Sequence, residues 1–322
     1  PTGAQLRQVL IPSGAEVLAN PVGSAPGFCL MWKGCLIVAL PGVPAEAEHM
    51  FAGSVAPRLA AGSARQERIE RRVLHTFGLP ESDVDVRLKG MVRAWKDVRV
   101  GLLASPLGVT VTLTGCGGRP TAGEQGKGGA MDRRVQAVRK RLGEYVYAEG
   151  TETMEEVVGR HLAARGVMLA VAESCTGGLI GHRLTQVSGS STYLDRVAVC
   201  YSDRAKIELL GVPEDLIRRH GAVSAEVAAA MASGIRMRSA AGVGLSVTGI
   251  AGPRGGTAQK PVGLVYIGLD TEGIAGAETK KGSERVTREF RFHGDRQAIK
   301  LRASQAALEM LRQWLVKTGS HG

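Results

Sequence analysis

The sequence has few cysteines, few aromatic residues and no long apolar run. Its five cysteines, at positions 29, 35, 116, 175 and 200, are an odd number without the paired spacing of a metal site. This pattern argues against a disulfide framework and favours a reduced, cytoplasmic protein that needs no metal or cofactor. No run approaches the roughly 18 apolar residues of a membrane helix. No signal peptide is recognisable either, so we expect no membrane association.

The charge balance is strongly basic, which raises the question of nucleic acid. The formal net charge is +11 and the pI is about 9.7. Basic proteins bind nucleic acid when their cations cluster and their aromatic side chains stack on bases. In this sequence lysine and arginine are dispersed, and aromatic residues amount to 4%. A high content of arginine, alanine and glycine can also result from a genome-wide compositional bias. We therefore expect no nucleic-acid partner.

A hydroxyl and a thiol stand side by side after an apolar run. The run Val167–Val171 predicts a buried strand, and Ser174 and Cys175 follow it, ahead of a glycine pair that opens a helical pattern. The first N–H groups of a helix lack intrahelical partners, so they are able to hold an anion or the oxyanion of an acyl transfer. The alternative is that Ser174 and Thr176 only cap this helix.

Two more predicted strands end in polar, glycine-rich segments. The run 197–200 precedes Tyr201 and Lys206, and the helical pattern that follows is closed by Gly211. The run 243–247 precedes Thr248 and a loop with several glycines. In an open α/β sheet, ligands bind at the carboxyl ends of the strands, where segments distant in sequence converge. One active site therefore explains the three segments better than three separate caps do.

The motifs AESCTGG, YSxxAK, LGV, HGAVS, TGIAGPxGG, KPVG and GDR follow one another in this order from about residue 167 to the C-terminus. This region resembles the C-terminal domain of the competence/damage-inducible protein A (CinA) family, whose stand-alone relatives are nicotinamide mononucleotide amidohydrolases. The resemblance implies an α/β sandwich-type domain at 149–322, working as a homo-oligomer. It also implies hydrolysis of the carboxamide of nicotinamide mononucleotide to nicotinic acid mononucleotide and ammonia, a step of pyridine nucleotide salvage.

Two positions depart from the family pattern: Asp203 stands where asparagine is frequent, and Arg254 where aspartate is frequent. Neither removes a hydroxyl or an amine that the chemistry needs, but both bear on the details of substrate contact.

Amide hydrolysis through an acyl-enzyme needs a nucleophile, a base, an oxyanion site and an acid for the ammonia. Position and resemblance favour Ser174 as the nucleophile over Cys175, whose thiolate would be intrinsically more reactive. Lys206 serves as base only if its pKa is lowered; otherwise it is a solvated helix lysine paired with Asp203. Tyr201 relays a proton or is a core aromatic residue. Thr248 completes the predicted catalytic set.

The substrate-binding residues are predicted from the same segments. Lys260 and Arg254 suit a phosphate monoester, and the loop lacks the spacing of a nucleoside triphosphate site. Asp295 reads as the N-cap of a last helix that runs to about Lys317. Arg296 places a positive charge in the first turn of that helix, at the positive end of the helix dipole. This position is unfavourable for the helix and suggests that Arg296 binds an anion; the alternative is a solvated arginine. The full predicted binding set is Cys175, Thr176, Gly177, Gly178, Gly249, Gly252, Gly255, Gly256, Lys260 and Arg296.

The upstream sequence is less distinctive. Residues 1–62 resemble the last part of the molybdopterin-binding-like α/β domain of the same family, whose first half has no counterpart here. Because residue 1 is proline, we expect either a fragment or a degenerate N-terminal domain, and the ADP-ribose pyrophosphatase activity of complete members is not supported. Residues 63–148 match the K homology (KH)-like α+β insert, with strands at 98–103 and 109–114 and a basic helix at 131–145. The GxxG pattern at 115–118 opens a predicted flexible loop, 115–130, and is discounted as a nucleic-acid motif.

A different class of function remains open, namely a non-catalytic binding protein associated with DNA uptake or repair. The presence of Ser174, Tyr201, Lys206 and Thr248 together argues against it. A third possibility, an amidase for another phosphorylated amide, would use the same site.

Overall fold

The computed structural model describes residues 10–62, 68–117, 129–272 and 284–319, and the chain divides into two compact units at residue 68. The first unit contains a three-stranded antiparallel sheet followed by helices. Residues Cys35–Ala39 form its third strand, and the small core is formed by Leu18, Cys29, Met50 and Val55. Its elements are β1 (Glu16–Leu18), β2 (Gly27–Trp32), β3 (Cys35–Ala39), α1 (Pro44–Met50), a π-helical turn (Phe51–Val55) and α2 (Ala56–Gly62).

The second unit begins with a four-stranded sheet in the order β5-β6-β4-β7. Apolar residues of the two helices, such as Val84 and Val138, pack with apolar residues of the strands, such as Val111, and this small α+β region has its own core. Its elements are β4 (Arg68–Thr76), α3 (Glu81–Arg93), β5 (Val98–Ser105), β6 (Gly108–Gly117), α4 (Ala130–Leu142) and β7 (Val146–Glu149).

The structure confirms the two strands predicted in this region and corrects their surroundings. The loop predicted to begin at residue 115 begins later, because Gly115 pairs with Val98 and β6 continues to Gly117. Residues 118–128 of that predicted loop lie outside the described residues. The basic helix predicted to reach residue 145 ends at Leu142, since Gly143 has a φ of 59° and a short 3₁₀ turn follows.

The remainder of the second unit is built on a five-stranded mixed sheet in the order β12-β11-β10-β8-β9. Strands β9, β8 and β10 are parallel, and β11 and β12 run antiparallel to their neighbours. The carboxyl ends of the three parallel strands therefore meet at one edge. The elements are α5 (Met154–Arg165), β8 (Leu169–Glu173), α6 (Leu179–Thr185), β9 (Leu194–Val199), α7 (Asp203–Leu210), α8 (Glu214–His220), α9 (Ala225–Met237), β10 (Val243–Gly249), β11 (Leu264–Thr271), β12 (Glu284–Arg291) and α10 (Arg296–Gly319).

Both faces of this sheet are covered by helices, which explains why its central strands are apolar without alternation. Leu169 and Val171 of β8 face a cluster that includes apolar residues of α5 and α10. Ala170 and Ala172 of the same strand face a second cluster, formed with residues of α7 and α9. The result is an α/β sandwich, as the resemblance predicted.

Helix ends follow the signals in the sequence. Asp295 caps α10 by accepting the N–H of Ala298 at 2.8 Å, as predicted. Gly211, at φ 67°, ends α7, as predicted. A capping box of Thr153 and Glu156 starts α5. None of the helices within the described ranges is both long and apolar enough to cross a membrane.

Candidate active site

The predicted nucleophile lies in a turn that the central strands hold in place. Ser174 directly follows β8, and its backbone N–H donates to the carbonyl of Val247 on β10 at 3.0 Å. The N–H of Gly177 donates back to the Ser174 carbonyl at 3.1 Å. Gly177 and Gly178 both have positive φ values, 64° and 91°, which L-residues with side chains rarely adopt. The glycine pair thus allows the sharp turn from strand to helix.

A carboxylate of the chain itself occupies the start of helix α6. The Glu173 oxygens accept the N–H groups of Gly178 at 3.0 Å, Ile180 at 3.2 Å and Gly181 at 2.8 Å. Glu173 is fully buried. Contrary to the prediction, the N–H groups of Gly178, Ile180 and Gly181 do not hold an anionic ligand or an oxyanion, because the adjacent carboxylate already satisfies these three groups.

Lys206 is buried beside the serine. Its side chain comes from the first turns of α7, and Nζ lies 3.3 Å from Ser174 Oγ. Nζ also donates to the backbone carbonyls of Cys200 at 3.2 Å and Tyr201 at 3.3 Å, while the nearest Asp203 oxygen is 3.9 Å away. Lys206 is only 1% exposed, so the alternative of a solvated helix lysine is wrong. Burial lowers the pKa of its ammonium group.

The two thiols nearest the site are protonated at neutral pH. Burial raises the pKa of the Cys175 thiol to about 12. Burial also raises the pKa of Cys200, which lies beyond the end of β9. Because the thiolate is the reactive form of cysteine, these environments disfavour a thiol nucleophile.

Two threonine hydroxyls differ in their partners. Thr248 Oγ1 donates to the Ala222 carbonyl at 2.8 Å and so ties β10 to the segment after α8. Thr176 is fully buried, and among the described residues its Oγ1 has no hydrogen-bond partner. Buried hydroxyls are normally paired, so Thr176 has hydrogen-bonding capacity left for a substrate.

Tyr201 and Arg296 connect three elements at the edge of the sheet. Arg296 Nη2 donates to the Tyr201 hydroxyl at 2.8 Å, and Nη1 donates to the Gly252 carbonyl at 2.7 Å. Tyr201 is 59% exposed, so the alternative of a core aromatic residue is wrong. Arg296 is exposed too, but it is held in position by these bonds and is not a freely solvated side chain.

The predicted cation of the glycine-rich loop has structural partners. Lys260 Nζ donates to the carbonyls of His220 at 2.6 Å and Val223 at 2.7 Å, so two of its three donors hold the segment between α8 and α9. Gly252 and Gly255 have φ values of 73° and 90°. At Gly249 and Gly256 an added Cβ would lie 2.7 to 2.8 Å from neighbouring atoms of the chain. The backbone conformation and the close contacts thus explain why glycine stands at these four positions. The predicted role of the four glycines in substrate binding stays a prediction.

The sequence reasoning missed Lys300. This half-buried lysine lies one turn after Arg296 on α10, and its Nζ is 3.5 Å from where a Cβ on Gly177 would be. Both cations line a cavity of about 400 Å³ together with Leu179, Gln297 and Leu301. The i,i+4 spacing from Arg296 is the signal that could have revealed it. Within the described part of the chain, no group of three or more His, Cys, Asp or Glu side chains is placed to hold a metal ion.

The sequence matches the CinA C-terminal domain over residues 151–315 and the damage-inducible protein CinA KH domain over residues 71–148. The chain belongs to the CinA family. A putative competence-damage inducible protein of Moorella thermoacetica is 41% identical, over 96% of this chain and 71% of its own length. A CinA-like protein of Syntrophus aciditrophicus is 42% identical with the same coverage of both chains.

Solved structures of CinA proteins match about half of the chain. The competence/damage inducible protein CihA of Agrobacterium tumefaciens is 38% identical, covers 51% of this chain and 97% of its own, and has a TM-score of 0.46. A CinA superfamily protein of Enterobacter cloacae is 30% identical, with 52% and 96% coverage and a TM-score of 0.46. The matches to the two family models and to the relatives of about 41% identity confirm the resemblance to CinA seen in the motifs, while the domain limits at 62/63 and 148/149 stay predictions.

This CinA protein should lose stability when the negative charge of Glu173 is removed. Glu173→Gln leaves one acceptor oxygen and turns an NH₂ donor toward N–H groups. Charge-assisted bonds of this kind are worth about 1.5–3 kcal/mol, so we expect a loss of that order in the free energy of unfolding, measured by urea denaturation. The matched control is Glu156→Gln in the exposed capping box of α5, where glutamine also caps and the change should stay within about 0.5 kcal/mol. If the free energy of unfolding changed equally little in Glu173→Gln and in Glu156→Gln, the role of the Glu173 carboxylate at the start of α6 would be contradicted.

Proposed function

We propose that the chain hydrolyses the carboxamide of nicotinamide mononucleotide to nicotinic acid mononucleotide and ammonia, with Ser174 as nucleophile and Lys206 as base. The observation that carries this proposal is the 3.3 Å contact between Ser174 Oγ and the buried Nζ of Lys206. A buried lysine that a serine hydroxyl contacts is unusual as a purely structural pair, because burial of an ammonium is costly. It is what a serine nucleophile without a histidine requires.

The hydrogen bonds of Lys206 suit the neutral amine. A neutral amine has two N–H donors and one lone pair. When the two N–H groups of the neutral amine donate to the carbonyls of Cys200 and Tyr201, the lone pair is left for the Ser174 hydroxyl, which in this state donates to Nζ instead of accepting from it. Lowering of the Lys206 pKa by burial increases the neutral fraction at a given pH.

The reaction then proceeds in two balanced steps. Lys206 takes the Ser174 proton as Oγ attacks the carboxamide carbon, and the resulting ammonium returns that proton to the departing nitrogen as the C–N bond breaks. The product of this step is ammonia and an ester on Ser174. Lys206 then takes a proton from water, which attacks the ester carbonyl, and returns the proton to Oγ as the acid is released. The Thr176 hydroxyl is available to bind the substrate during both steps.

The substrate class is supported by the resemblance and by charge. Arg296 and Lys300 lie one helical turn apart at the edge of the site, and Lys300 contacts the region of Gly177. We propose that this pair binds the phosphate of the nucleotide, with Lys260 holding the neighbouring loop. Tyr201, hydrogen-bonded to Arg296, orients the substrate or relays protons beside Lys206. In the cell we propose a cytoplasmic homo-oligomer that acts in pyridine nucleotide salvage.

Removal of the Ser174 hydroxyl should abolish turnover. We expect Ser174→Ala to lower ammonia release from nicotinamide mononucleotide by at least about 10³-fold, because the covalent step is lost. The neighbouring Cys175→Ala variant should keep activity within about threefold. Activity is measured by a coupled ammonia assay on purified protein. An active Ser174→Ala with an inactive Cys175→Ala would reassign the nucleophile, and inactivity of the wild-type protein on this substrate would direct the search to other phosphorylated amides.

The pH profile should report Lys206. Below its pKa the base is protonated, so kcat/KM should fall as pH falls, with an apparent pKa below the ordinary lysine value of about 10.4. Lys206→Arg should be inactive at every pH, because a guanidinium does not deprotonate in this range. Lys300→Arg is the matched control and should keep the acid limb at the same pH. An unchanged acid limb in an active Lys206→Arg would show that another group is the base.

The phosphate should contribute measurably to catalysis. Charge-assisted contacts are worth about 1.5–3 kcal/mol, so nicotinamide riboside should have a kcat/KM lower than that of the nucleotide by about ten- to a hundredfold. Lys300→Gln should reduce this preference, and Lys260→Gln should reduce it less. Arg219→Gln, on the exposed face of α8, is the control that should leave it unchanged. Equal hydrolysis of nucleotide and riboside would remove the phosphate site.

A further inference from the structure

A second cavity lies between the KH-like region and the C-terminal domain, inside the second unit. Its volume is about 230 Å³. The lining comes from β4, the turn between β5 and β6, β7 and the start of α5, together with one residue each of α6 and α10. None of its lining residues belongs to the Ser174–Lys206 site. Its main polar side chains are His75, Tyr147, Glu155, Arg183 and Gln305.

Arg183 is held by three partners, two of which line the cavity. Nη1 donates to Ser304 Oγ at 2.9 Å, and Nη2 donates to both Glu155 Oε2 and Gln305 Oε1 at 2.7 Å. The side chains of Arg183 and Glu155 are 9% and 15% exposed. The Glu155 carboxylate therefore already balances the charge of Arg183. The side chains of Glu155 and Gln305 both accept from the same nitrogen, Arg183 Nη2.

Gln305 has an unused donor. Gln305 is fully buried and its Oε1 accepts from Arg183, which fixes the amide orientation and leaves Nε2 as the other group. Among the described residues, Nε2 has no hydrogen-bond partner. A buried donor without an acceptor costs about 1–3 kcal/mol, so its position in a cavity wall calls for an acceptor.

An aromatic pair also lines the cavity. The His75 and Tyr147 rings stack with centroids 5.9 Å apart and an interplanar angle of 28°. His75 Nε2 is fixed by the Gly150 carbonyl at 2.9 Å. Burial raises the pKa of the Tyr147 phenol, so it keeps its proton, and the neighbouring Gln305 side chain partly offsets that rise. The wall offers flat surface next to the donor of Gln305.

We propose that this cavity binds a small, planar, uncharged molecule that presents an acceptor beside an N–H donor, as a carboxamide or the edge of a nucleobase does. The acceptor meets Gln305 Nε2. The N–H meets Glu155, which among the described residues uses only Oε2, on Arg183. A charged ligand is disfavoured, because an anion would be repelled by Glu152 and Glu155 and a cation by Arg183. Sites for drug-sized ligands are about 300–1,000 Å³, so the smaller cavity takes a single ring system.

The test uses the full chain and four probes: benzamide, adenine, benzoate and toluene. Crystals are soaked with each probe, and binding is measured in solution by calorimetry. We expect benzamide or adenine to occupy the cavity with its acceptor on Gln305 and its N–H on Glu155, and to bind at least tenfold more tightly than benzoate or toluene. The two favourable probes distinguish a carboxamide ligand from a nucleobase. Ordered water alone in the cavity, or equal binding of all four probes, overturns the proposal.

Variants separate this site from the catalytic one. Gln305→Leu should weaken the specific binding at least tenfold, and the matched control Gln313→Leu, on the same helix outside the cavity, should not. Because Gln305→Leu disturbs the Arg183 network, Leu107→Trp provides a second test: it fills the rim from a half-exposed turn position and leaves the network intact. Specific binding that survives Leu107→Trp, or that is lost equally in Gln313→Leu, also overturns the proposal.

Discussion

The geometry of the candidate site depends on one buried carboxylate. Glu173, the last residue of the central strand β8, takes the N–H groups that begin helix α6, and it does so next to Ser174. A carboxylate without such partners would be costly to bury. The strand end, the glycine turn and the helix are therefore fixed together, and Ser174 has little freedom to move relative to the neighbouring strands.

The same edge of the sheet also buries an amine. Lys206 lies in helix α7, which follows the adjacent strand β9, and its amine contacts two backbone carbonyls and the Ser174 hydroxyl. Among the described residues, the carboxylate that pairs with Lys206 is that of Asp203, which is 59% exposed and 3.9 Å away, too distant to hold an ammonium firmly. The low polarity of the surroundings, and not a strong ion pair, sets the protonation of this lysine.

Much of the fold could be predicted because it depends on local patterns. The apolar runs that became β8, β9 and β10, the cap at Asp295 and the end of α7 at Gly211 all follow from neighbouring residues. The proximity of Ser174 and Lys206 followed from the general position of ligands in α/β sheets.

Features that depend on distant contacts were not predictable in this way. The spacing of Asp203 and Lys206 suggested an exposed pair, whereas burial depends on how α7 packs on the sheet. Lys260 bonds carbonyls 37 and 40 residues earlier in the chain, and its sequence neighbourhood gives no sign of them. Glu173 was not predicted to accept the N–H groups of α6, because a residue at the end of a strand does not normally cap a helix. The Arg183 network likewise joins residues more than 120 positions apart.

The burial of the two thiols near Ser174 has a consequence for damage by oxidants. Peroxides react with thiolates, and the raised pKa values of Cys175 and Cys200 keep both thiols protonated. Of the four cysteines whose side chains the structure describes, only Cys35 is exposed, and it lies in the first unit. Among these four cysteines, the exposed Cys35 should therefore be oxidised before the two buried cysteines near Ser174.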